Sequence, residues 1–548
     1  MLETERTFAA LSEEFVEVTL RHNPVAATRA GLHDYDRKLP DDSPEGLRER
    51  AAWLRDIDQR LVASVPWGEL PIESRVDFAL MRSMISATRA DLEEIKVYAR
   101  NPVLYPETAL NGVFLLMARP FAPLDERKEA VLERLMAIPD YLAAAQANLQ
   151  QAPELFVRIA GEVNLSGPQF VDEVMRTLLR GFPGEAERIE HAGERARVGF
   201  LQYQEFLERD LRPRAGGSFA IGERWMNYKL ERQHLLSVDC AYLDSLGRDR
   251  VASTQSLLEQ EARRLDSTRG WREQVAEAKL RHPESLHLLD AYVAEVERAR
   301  RFVLEKKLAP IAPGGLEVIE TPIFERAVLP YASYLAPAPF DEEPVGHFYV
   351  TPIDLGRPRA EQQQQLEEHN YASLPIVVVH ETFPGHHLQR CHAGRNGSRL
   401  RRLAASEPFA EGWALYAEEL MHAEGYFLDP LTRLLQLRDL LWRACRVVLD
   451  IGLHTGRMTF EQAVEYLVEE AMIERVNAEM EVKRYALTPT QPLSYLVGKE
   501  MLDEIRDEAR ARMGRAFNLY DFHAELLRIG TLPPFLIREE LGGRLTPR

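Results

Sequence analysis

Residues 373–389 read SLPIVVVHETFPGHHLQ, and this stretch decides how the rest of the chain is interpreted. Its first half is apolar, and Pro375 is suited to the first turn of a helix. His380 and Glu381 would end that helix, and they match the start of the H-E-x-x-H pattern, in which two histidines one turn apart bind zinc. The glutamate of that pattern is the general base that accepts a proton from the zinc-bound water. The stretch therefore predicts a zinc-binding helix.

The second histidine of the pattern is displaced in this chain. Pro384 stands where the pattern has histidine, and His386 and His387 follow it. A proline has no N–H to donate to the carbonyl of His380, and its ring clashes with that carbonyl, so the helix must open here. Gly385 can adopt unusual backbone angles, and a widened turn would return one histidine towards the first. We expect His386 to be the second ligand, with His387 as the alternative.

A third ligand is expected from a following helix. The segment SEPFAEGWALYAEEL, residues 406–420, offers Glu411 at the start of an otherwise apolar helix that looks buried. An unpaired carboxylate is costly to bury, and a metal ion would remove that cost. We therefore predict one zinc ion per chain, held by His380, His386 and Glu411.

Hydrolysis of an amide bond also needs a donor for the oxyanion that forms as water attacks the carbonyl. Tyr495 is the candidate, because it follows a polar, proline-containing loop at the start of a helix. The alternative is a tyrosine that only packs against the helix start. With Glu381 as the base, the predicted catalytic residues are Glu381 and Tyr495. The residues predicted to hold substrate are Arg484, Tyr485 and Gln491.

Two further sets of polar residues indicate supporting roles. Arg446, Asp450 and His454 recur every four residues, and we interpret them as a ladder of ion pairs and hydrogen bonds along one helix. The alternative is that this ladder supports the zinc site from behind its ligands. Glu418 and Glu419 lie two turns beyond the third predicted ligand. We interpret them as solvated groups or as groups behind the ligands.

The chain has 548 residues, and apolar residues recur three and four apart over most of it, which predicts a mainly α-helical protein. We expect a single catalytic domain over residues 1–548. Its parts would be a helical lobe at about 1–310, a strand-containing segment at about 311–355 and a zinc-site helical lobe at about 356–548. The strand-like run at residues 346–351 is interpreted as part of a small sheet or as an edge strand that an extended peptide could pair with.

The composition, net charge and cysteine count indicate which class of protein this is and which partners are disfavoured. With 45% hydrophobic and 28% charged residues, the chain has the composition of a globular protein. Its net charge of -18 disfavours nucleic acid and anionic membranes as partners. Its three cysteines are too few for a disulfide framework, its start does not resemble a secretory signal, and no apolar run approaches 20 residues. We expect a cytoplasmic protein that binds neither nucleic acid nor membrane.

The motifs resemble those of a known bacterial family, catalogued as domain of unknown function 885 (DUF885). Its hallmark H-E-x-x-P-G-H-H stands here at residues 380–387, followed by E-G-W-A-x-Y at residues 411–416. The segments NPVAATRAGLHDYDRKLPD at residues 23–41 and FHAELLRIGTLP at residues 522–533 extend the resemblance over essentially the whole chain. The family is similar in layout to helical gluzincins such as the thimet oligopeptidase and angiotensin-converting-enzyme groups. The resemblance implies a large two-lobed helical fold with a deep central cleft, a small β element before the zinc-binding helix, and zinc chemistry.

We therefore expect a zinc metallopeptidase-like hydrolase that cleaves short peptides with metal-activated water. One alternative is a zinc amidase or tailoring hydrolase that acts on a peptide-like metabolite. Another, of a different class, is a catalytically silent helical binding scaffold. Glu381 counts against the scaffold, because a protein without catalysis has no need of a general base.

Overall fold

The computed structural model describes residues 3–322, Arg326 and residues 331–544. The prediction of a mainly α-helical protein with a small β element is confirmed. The chain forms two compact units, Met1–Ile221 and Gly222–Arg548. The predicted change from helix to strand near residue 310 lies inside the second unit. The single catalytic domain and the two-lobed arrangement with a central cleft stay predictions.

The first unit is built from helices. Their bounds are α1 Glu3–His22, α2 Pro24–Ala30, α3 Pro44–Ser64, α4 Ile72–Arg89, α5 Val97–Arg100, α6 Leu104–Ala118, α7 Leu124–Asn148, α8 Glu154–Leu165, α9 Gly167–Gly181 and α10 Ala186–Phe206. Side-chain caps fix two of the helix starts. Asn23 accepts the N–H of Ala26 at the start of α2, and Ser43 accepts the N–H of Gly46 at the start of α3.

A buried carboxylate in the first unit is fully hydrogen-bonded. Asp42 accepts the Arg50 guanidinium at 2.9 Å on one oxygen and the Tyr141 hydroxyl at 2.8 Å on the other. The Asn148 amide donates to the Asp42 backbone carbonyl at 2.6 Å. Since a buried charge is tolerated only when it is paired and hydrogen-bonded, this network is structural in character.

The second unit contains the remaining helices and a sheet. The helices are α11 Glu223–Tyr228, α12 Cys240–Leu265, α13 Trp271–Lys279, α14 Leu288–Lys306, α15 Arg359–Glu368, α16 Leu374–Glu381, α17 His386–Gly394, α18 Arg399–Leu403, α19 Glu407–Ala423, α20 Pro430–His454, α21 Phe460–Ala471, α22 Arg475–Leu487, α23 Ser494–Met513, α24 Leu519–Ile529 and α25 Pro534–Arg544. The strands are β1 Gly315–Glu320, β2 Ala332–Leu335 and β3 Val345–Val350.

The sheet corrects one sequence prediction. Its strand order is β1-β3-β2, with β3 parallel to β1 and antiparallel to β2. The strand predicted at residues 346–351 is therefore central, and the interpretation as an edge strand that is open to a peptide was wrong. Its partners β1 and β2 are two separate segments that precede it, and both of its edges already carry ladder hydrogen bonds. The buried run from Gly346 to Val350 agrees with this central position.

Two glycines let α19 and α23 approach each other closely. A Cβ atom on Gly412 would lie 2.4 Å from the carbonyl carbon of Gly498. A Cβ atom on Gly498 would lie 1.8 Å from the carbonyl oxygen of Pro408. Larger residues at this crossing would force the two helices apart, because real Cβ atoms do not approach backbone atoms so closely. The crossing sets the distance between Glu411, which precedes Gly412, and Tyr495, one turn before Gly498.

Candidate metal centre

The chain reverses between α16 and α17 through a turn that needs glycine. The Gly385 N–H donates to the Val379 carbonyl at 3.0 Å, a wider turn than the α-helix makes. A Cβ atom at Gly385 would lie 1.9 Å from the His380 carbonyl oxygen, so no other residue fits there without a backbone shift. Helix α16 ends at Glu381, as the proline after it predicts, and α17 begins at His386.

Helix α19 contacts this turn through a hydrogen bond from Trp413. The Trp413 indole N–H donates to the Pro384 carbonyl at 2.8 Å, and Trp413 is completely buried. Trp413 lies two residues after Glu411, so one short piece of helix both fixes the turn and supplies an acid beside it.

The turn brings the three predicted ligands together. His380, His386 and Glu411 each offer a ligand atom, and these atoms lie within 4.8 Å of one another. Glu411 Oε2 lies 3.7 Å from His380 Nε2 and 3.4 Å from His386 Nε2. The two imidazole rings meet edge to face, with planes at 89°.

The spacing of these atoms fits a bound metal ion. Glu411 Oε2 is buried and has no hydrogen-bond partner among the residues that the structure describes. Its distances to the two imidazole nitrogens are too long for good hydrogen bonds. They are close to the edge of about 3.3 Å that separates two ligands of a tetrahedral zinc site with bonds of about 2.0 Å. Two imidazoles and one carboxylate are also a donor set typical of catalytic zinc.

A fourth residue orients the first histidine. His380 Nδ1 lies 2.8 Å from Glu418 Oε1, and Glu418 is almost completely buried. A metal-binding histidine commonly gives its second ring N–H to a carboxylate, which fixes the tautomer and leaves the other nitrogen free for metal. Of the two sequence interpretations of Glu418, the structure agrees with a group behind the ligands. Glu419 instead pairs with Arg433 at 2.8 Å.

The histidines and glutamates of the cluster shift one another's pKa values and stabilise one another's charged forms. Burial by itself would lower the pKa of His380, but the carboxylates of Glu411 and Glu418 raise it to about 10. Burial would raise the pKa of Glu411, yet His386 and His380 hold it well below its usual range. In the absence of metal, Glu411 is therefore a carboxylate, and His380 carries a second ring proton that it must lose before its Nε2 can bind a metal ion.

His387 faces away from the cluster. Its Nδ1 lies 3.0 Å from the Tyr334 hydroxyl on β2, and its ring meets Phe383 edge to face at 5.2 Å. Burial lowers the pKa of His387 to about 4. The geometry thus distinguishes the two alternatives that the sequence leaves open, and only His386 joins His380 and Glu411.

Glu381, the predicted base, is the last residue of α16 and is only partly buried. Its side chain makes no hydrogen bond within the described part of the chain, so its oxygens are available to a water or a substrate. It directly follows His380 in the sequence.

Tyr495 lies near the cluster through the glycine crossing of α19 and α23. Burial and the charge of Glu411 raise the pKa of its phenol, so the hydroxyl keeps its proton at neutral pH. The Gln491 amide lies 3.5 Å from that hydroxyl. The Arg446 guanidinium lies over the Tyr495 ring, 4.5 Å from its centre.

The three predicted substrate residues have different surroundings. Arg484 is partly exposed and donates to Gln491 at 2.7 Å and to Glu481 at 2.8 Å. Tyr485 is completely buried, and its hydroxyl accepts hydrogen bonds from Arg446 at 2.8 Å and from Trp442 at 3.1 Å. Both of these neighbours come from another helix, so the burial of Tyr485 is not visible in local sequence. Its part in holding substrate stays a prediction.

The predicted ladder on α20 bonds mainly across to another segment. Asp450 accepts the backbone N–H groups of Thr490 and Leu493, each at 3.2 Å. His454 Nε2 lies 3.0 Å from the Tyr485 carbonyl. Asp450 thus fixes the segment that leads into Tyr495, and Arg446 contacts Tyr485 and the Tyr495 ring. Of the predicted ladder, Asp450 and His454 lie 3.9 Å apart, whereas no bond joins Arg446 to Asp450.

Sequence reasoning missed two charged residues next to the cluster. Arg390 follows His386 by four residues on α17, and Glu407 precedes Glu411 by four residues on α19. Residues four apart share a helix face, so this spacing was a signal available in the sequence. Burial raises the pKa of Glu407, and the charge of Glu411 adds to that effect, whereas Arg390 and His386 oppose it.

Two solved structures are similar to the chain. One is described as "a putative lipoprotein of unknown function from Shewanella oneidensis", with a TM-score of 0.81 and 24% identity, over 97% of this chain and 99% of the other. The second is "the putative lipoprotein from Colwellia psychrerythraea", with a TM-score of 0.83 and 20% identity, over the full length of both chains. At these identities the similarity shows a shared fold. No curated protein matches the chain.

These structures correct the expected location. Both similar proteins are described as lipoproteins, which contradicts the prediction of a cytoplasmic protein. Over the residues that the structure covers, no helix combines the length and the apolar character needed to cross a bilayer.

The family resemblance has direct support. The family model described as "bacterial protein of unknown function (DUF885)" matches residues 24–541. That range includes both hallmark motifs and every residue of the cluster. The chain therefore belongs to the DUF885 family.

Proposed function

We propose that this chain is a zinc-dependent hydrolase that cleaves amide bonds of short peptides. The observation that carries the proposal is the convergence of His380, His386 and Glu411, with Glu411 Oε2 buried and lacking a hydrogen bond to the described residues. A structural network would satisfy such a carboxylate, as the one at Asp42 does. A metal ion satisfies it as well, and it also supplies chemistry.

A zinc ion held by these residues would act as a Lewis acid that lowers the pKa of a bound water and polarises the substrate carbonyl. Glu381 lies next to His380 and has free oxygens, so it accepts the proton of the attacking water and later delivers it to the leaving amine. Tyr495 keeps its phenolic proton and donates a hydrogen bond to the oxyanion. Glu418 holds the His380 ring in the orientation that leaves Nε2 free.

The ligand set also supports the resemblance to gluzincins. In that group, two histidines beside a catalytic glutamate are joined by a glutamate on a following helix, which is the arrangement proposed here for His380, His386 and Glu411. The displaced second histidine is a departure from the usual spacing, and the turn through Gly385 offers a physical account of it.

The experiment uses the full chain, purified without a histidine tag, and its Glu381→Gln variant. Both proteins should contain about one zinc per chain by plasma mass spectrometry, since Glu381 is not a ligand. Hydrolysis of a panel of unblocked short peptides should fall by about 10²- to 10⁴-fold in the variant, the usual contribution of a general base. Wild-type activity that survives complete removal of metal would overturn the proposal.

The same panel separates a peptidase from an amidase. It should include N-acyl amino acids and blocked dipeptides beside the free peptides. Cleavage of the free peptides supports the peptidase, whereas cleavage of N-acyl amino acids alone would assign the site to an amidase.

A further inference from the structure

Arg390 lies one helical turn from the metal ligand His386. Both residues are in α17, and a separation of four residues places them on the same face, about 6 Å apart along the helix axis. Arg390 is partly buried. Its charge acts on Glu407, which lies one turn from Glu411 on α19. Arg390 is therefore on the side of α17 that faces the proposed metal centre.

Among the residues for which the structure gives positions, Arg390 makes no hydrogen bond and no ion pair, not even with Glu407, whereas other arginines of this unit have partners. Arg484 is engaged by Glu481 and Gln491, and Arg433 is engaged by Glu419. A partly buried guanidinium presents five N–H donors, and carboxylates match its geometry with two parallel hydrogen bonds. Such a group beside a reaction centre is suited to hold an anionic part of the substrate.

Resting on the function proposed above, we propose that Arg390 binds a carboxylate of the substrate on the residue that follows the cleaved bond. Consecutive residues of a peptide are about 3.8 Å apart, and Arg390 lies about 6 Å from His386 along the helix axis. A carboxylate one residue beyond the cleaved carbonyl is therefore at a comparable distance from the proposed metal centre. The carboxylate is either the free C-terminus of a peptide or the side chain of an acidic residue at that position. The substrate class is thus peptides that carry a carboxylate next to the cleaved bond.

The test measures binding rather than turnover. It uses the full-length Glu381→Gln protein loaded with zinc, which keeps the proposed site intact without hydrolysing its ligand. Calorimetry compares trialanine with trialanine amide, and acetyl-alanyl-aspartyl amide with acetyl-alanyl-asparaginyl amide. One pair differs only in a terminal carboxylate, and the other only in a side-chain carboxylate.

We expect the carboxylate form of one pair to bind about 10- to 100-fold more tightly than its neutral counterpart, as for one charge-assisted contact. Adding Arg390→Gln should reduce that preference to less than about threefold, whereas Arg390→Lys should retain part of it. Arg395→Gln removes the same charge at an exposed position near the end of α17 and should leave the preference unchanged.

Each outcome has a separate meaning. A preference in the trialanine pair assigns the carboxylate to the C-terminus, and a preference in the aspartyl pair assigns it to the side chain. Equal binding within both pairs, or a preference that survives Arg390→Gln, would overturn the inference. Failure of the proposed function would appear elsewhere, as absence of bound zinc or of metal-dependent hydrolysis in the wild-type chain.

Discussion

Two carboxylates of this protein, each with a buried oxygen atom, have opposite surroundings. Asp42 in the first unit has hydrogen bonds on both oxygens, from Arg50 and from Tyr141. Glu411 in the second unit has an oxygen with no hydrogen bond from the described residues, held 3.4 and 3.7 Å from two imidazoles. A network that only stabilises a fold satisfies its own polar groups, because each unmet one is costly. A buried acceptor without a hydrogen bond, next to two imidazole nitrogens, is the feature from which we infer a bound metal ion.

The largest effect, on metal content, is expected when Glu411 is replaced. Glu411→Gln keeps the shape of the side chain but removes the charge that we propose binds the metal ion. Metal content should fall from about one ion per chain to nearly none, measured by plasma mass spectrometry after dialysis. His387→Gln is the matched control and should keep its metal, because that histidine faces Tyr334 instead. Loss of metal in the control with retention in Glu411→Gln would reverse the assignment.

Replacement of Asp42 should lower the stability of the protein and leave its metal content unchanged. Asp42→Asn leaves the Arg50 guanidinium buried without its ion partner, which typically costs about 3 to 5 kcal/mol of stability. The midpoint of urea unfolding, monitored by far-ultraviolet circular dichroism, should fall markedly. The zinc content of the folded protein should stay the same. A variant with normal stability and lost metal would remove the contrast between the two carboxylates.

Part of the candidate site and most of the helical fold could be predicted from the sequence. His380, Glu381 and Glu411 stand in local motifs, and the helical periodicity of most of the chain was clear. The choice of His386 over His387 depended on a turn in which Gly385 touches the His380 carbonyl, a contact that spacing on a regular helix does not describe.

The remaining errors concern contacts with other elements of the chain. The central position of β3 follows from β1 and β2, whose pairing is not encoded within the strand itself. The four-residue spacing on α20 was visible, but Asp450 bonds to the backbone of Thr490 and Leu493. Local pattern therefore identified the polar residues and the Asp450–His454 pair, but not the backbone groups that Asp450 also binds.

A variant of Tyr495 tests whether Glu411 belongs to a reaction centre. Tyr495→Phe removes only the hydroxyl and leaves the ring under Arg446. The rate of peptide hydrolysis should fall by about 10²- to 10³-fold, the usual effect of losing one oxyanion donor. Zinc content should not change. An unchanged kcat would assign Tyr495 to helix contacts alone.

The smallest effect is expected from replacement of Glu418, which contacts the predicted ligand His380 and not the metal ion itself. Glu418→Gln keeps a hydrogen-bond acceptor for His380 Nδ1 but removes its charge. Affinity for zinc, measured by competition with a chromophoric chelator, should weaken by about 10- to 100-fold. Glu419→Gln is a suitable control on the same helix, since Glu419 pairs with Arg433. Equal effects of the two variants would contradict a specific role for Glu418.

The most direct measurement is anomalous diffraction from crystals of the zinc-loaded protein, with data above and below the zinc absorption edge. We expect a single strong peak at about 2.0 to 2.2 Å from His380 Nε2, His386 Nε2 and Glu411 Oε2. Absence of a peak between these atoms in zinc-loaded crystals, or a peak bound by His387 in place of His386, would contradict the proposed centre.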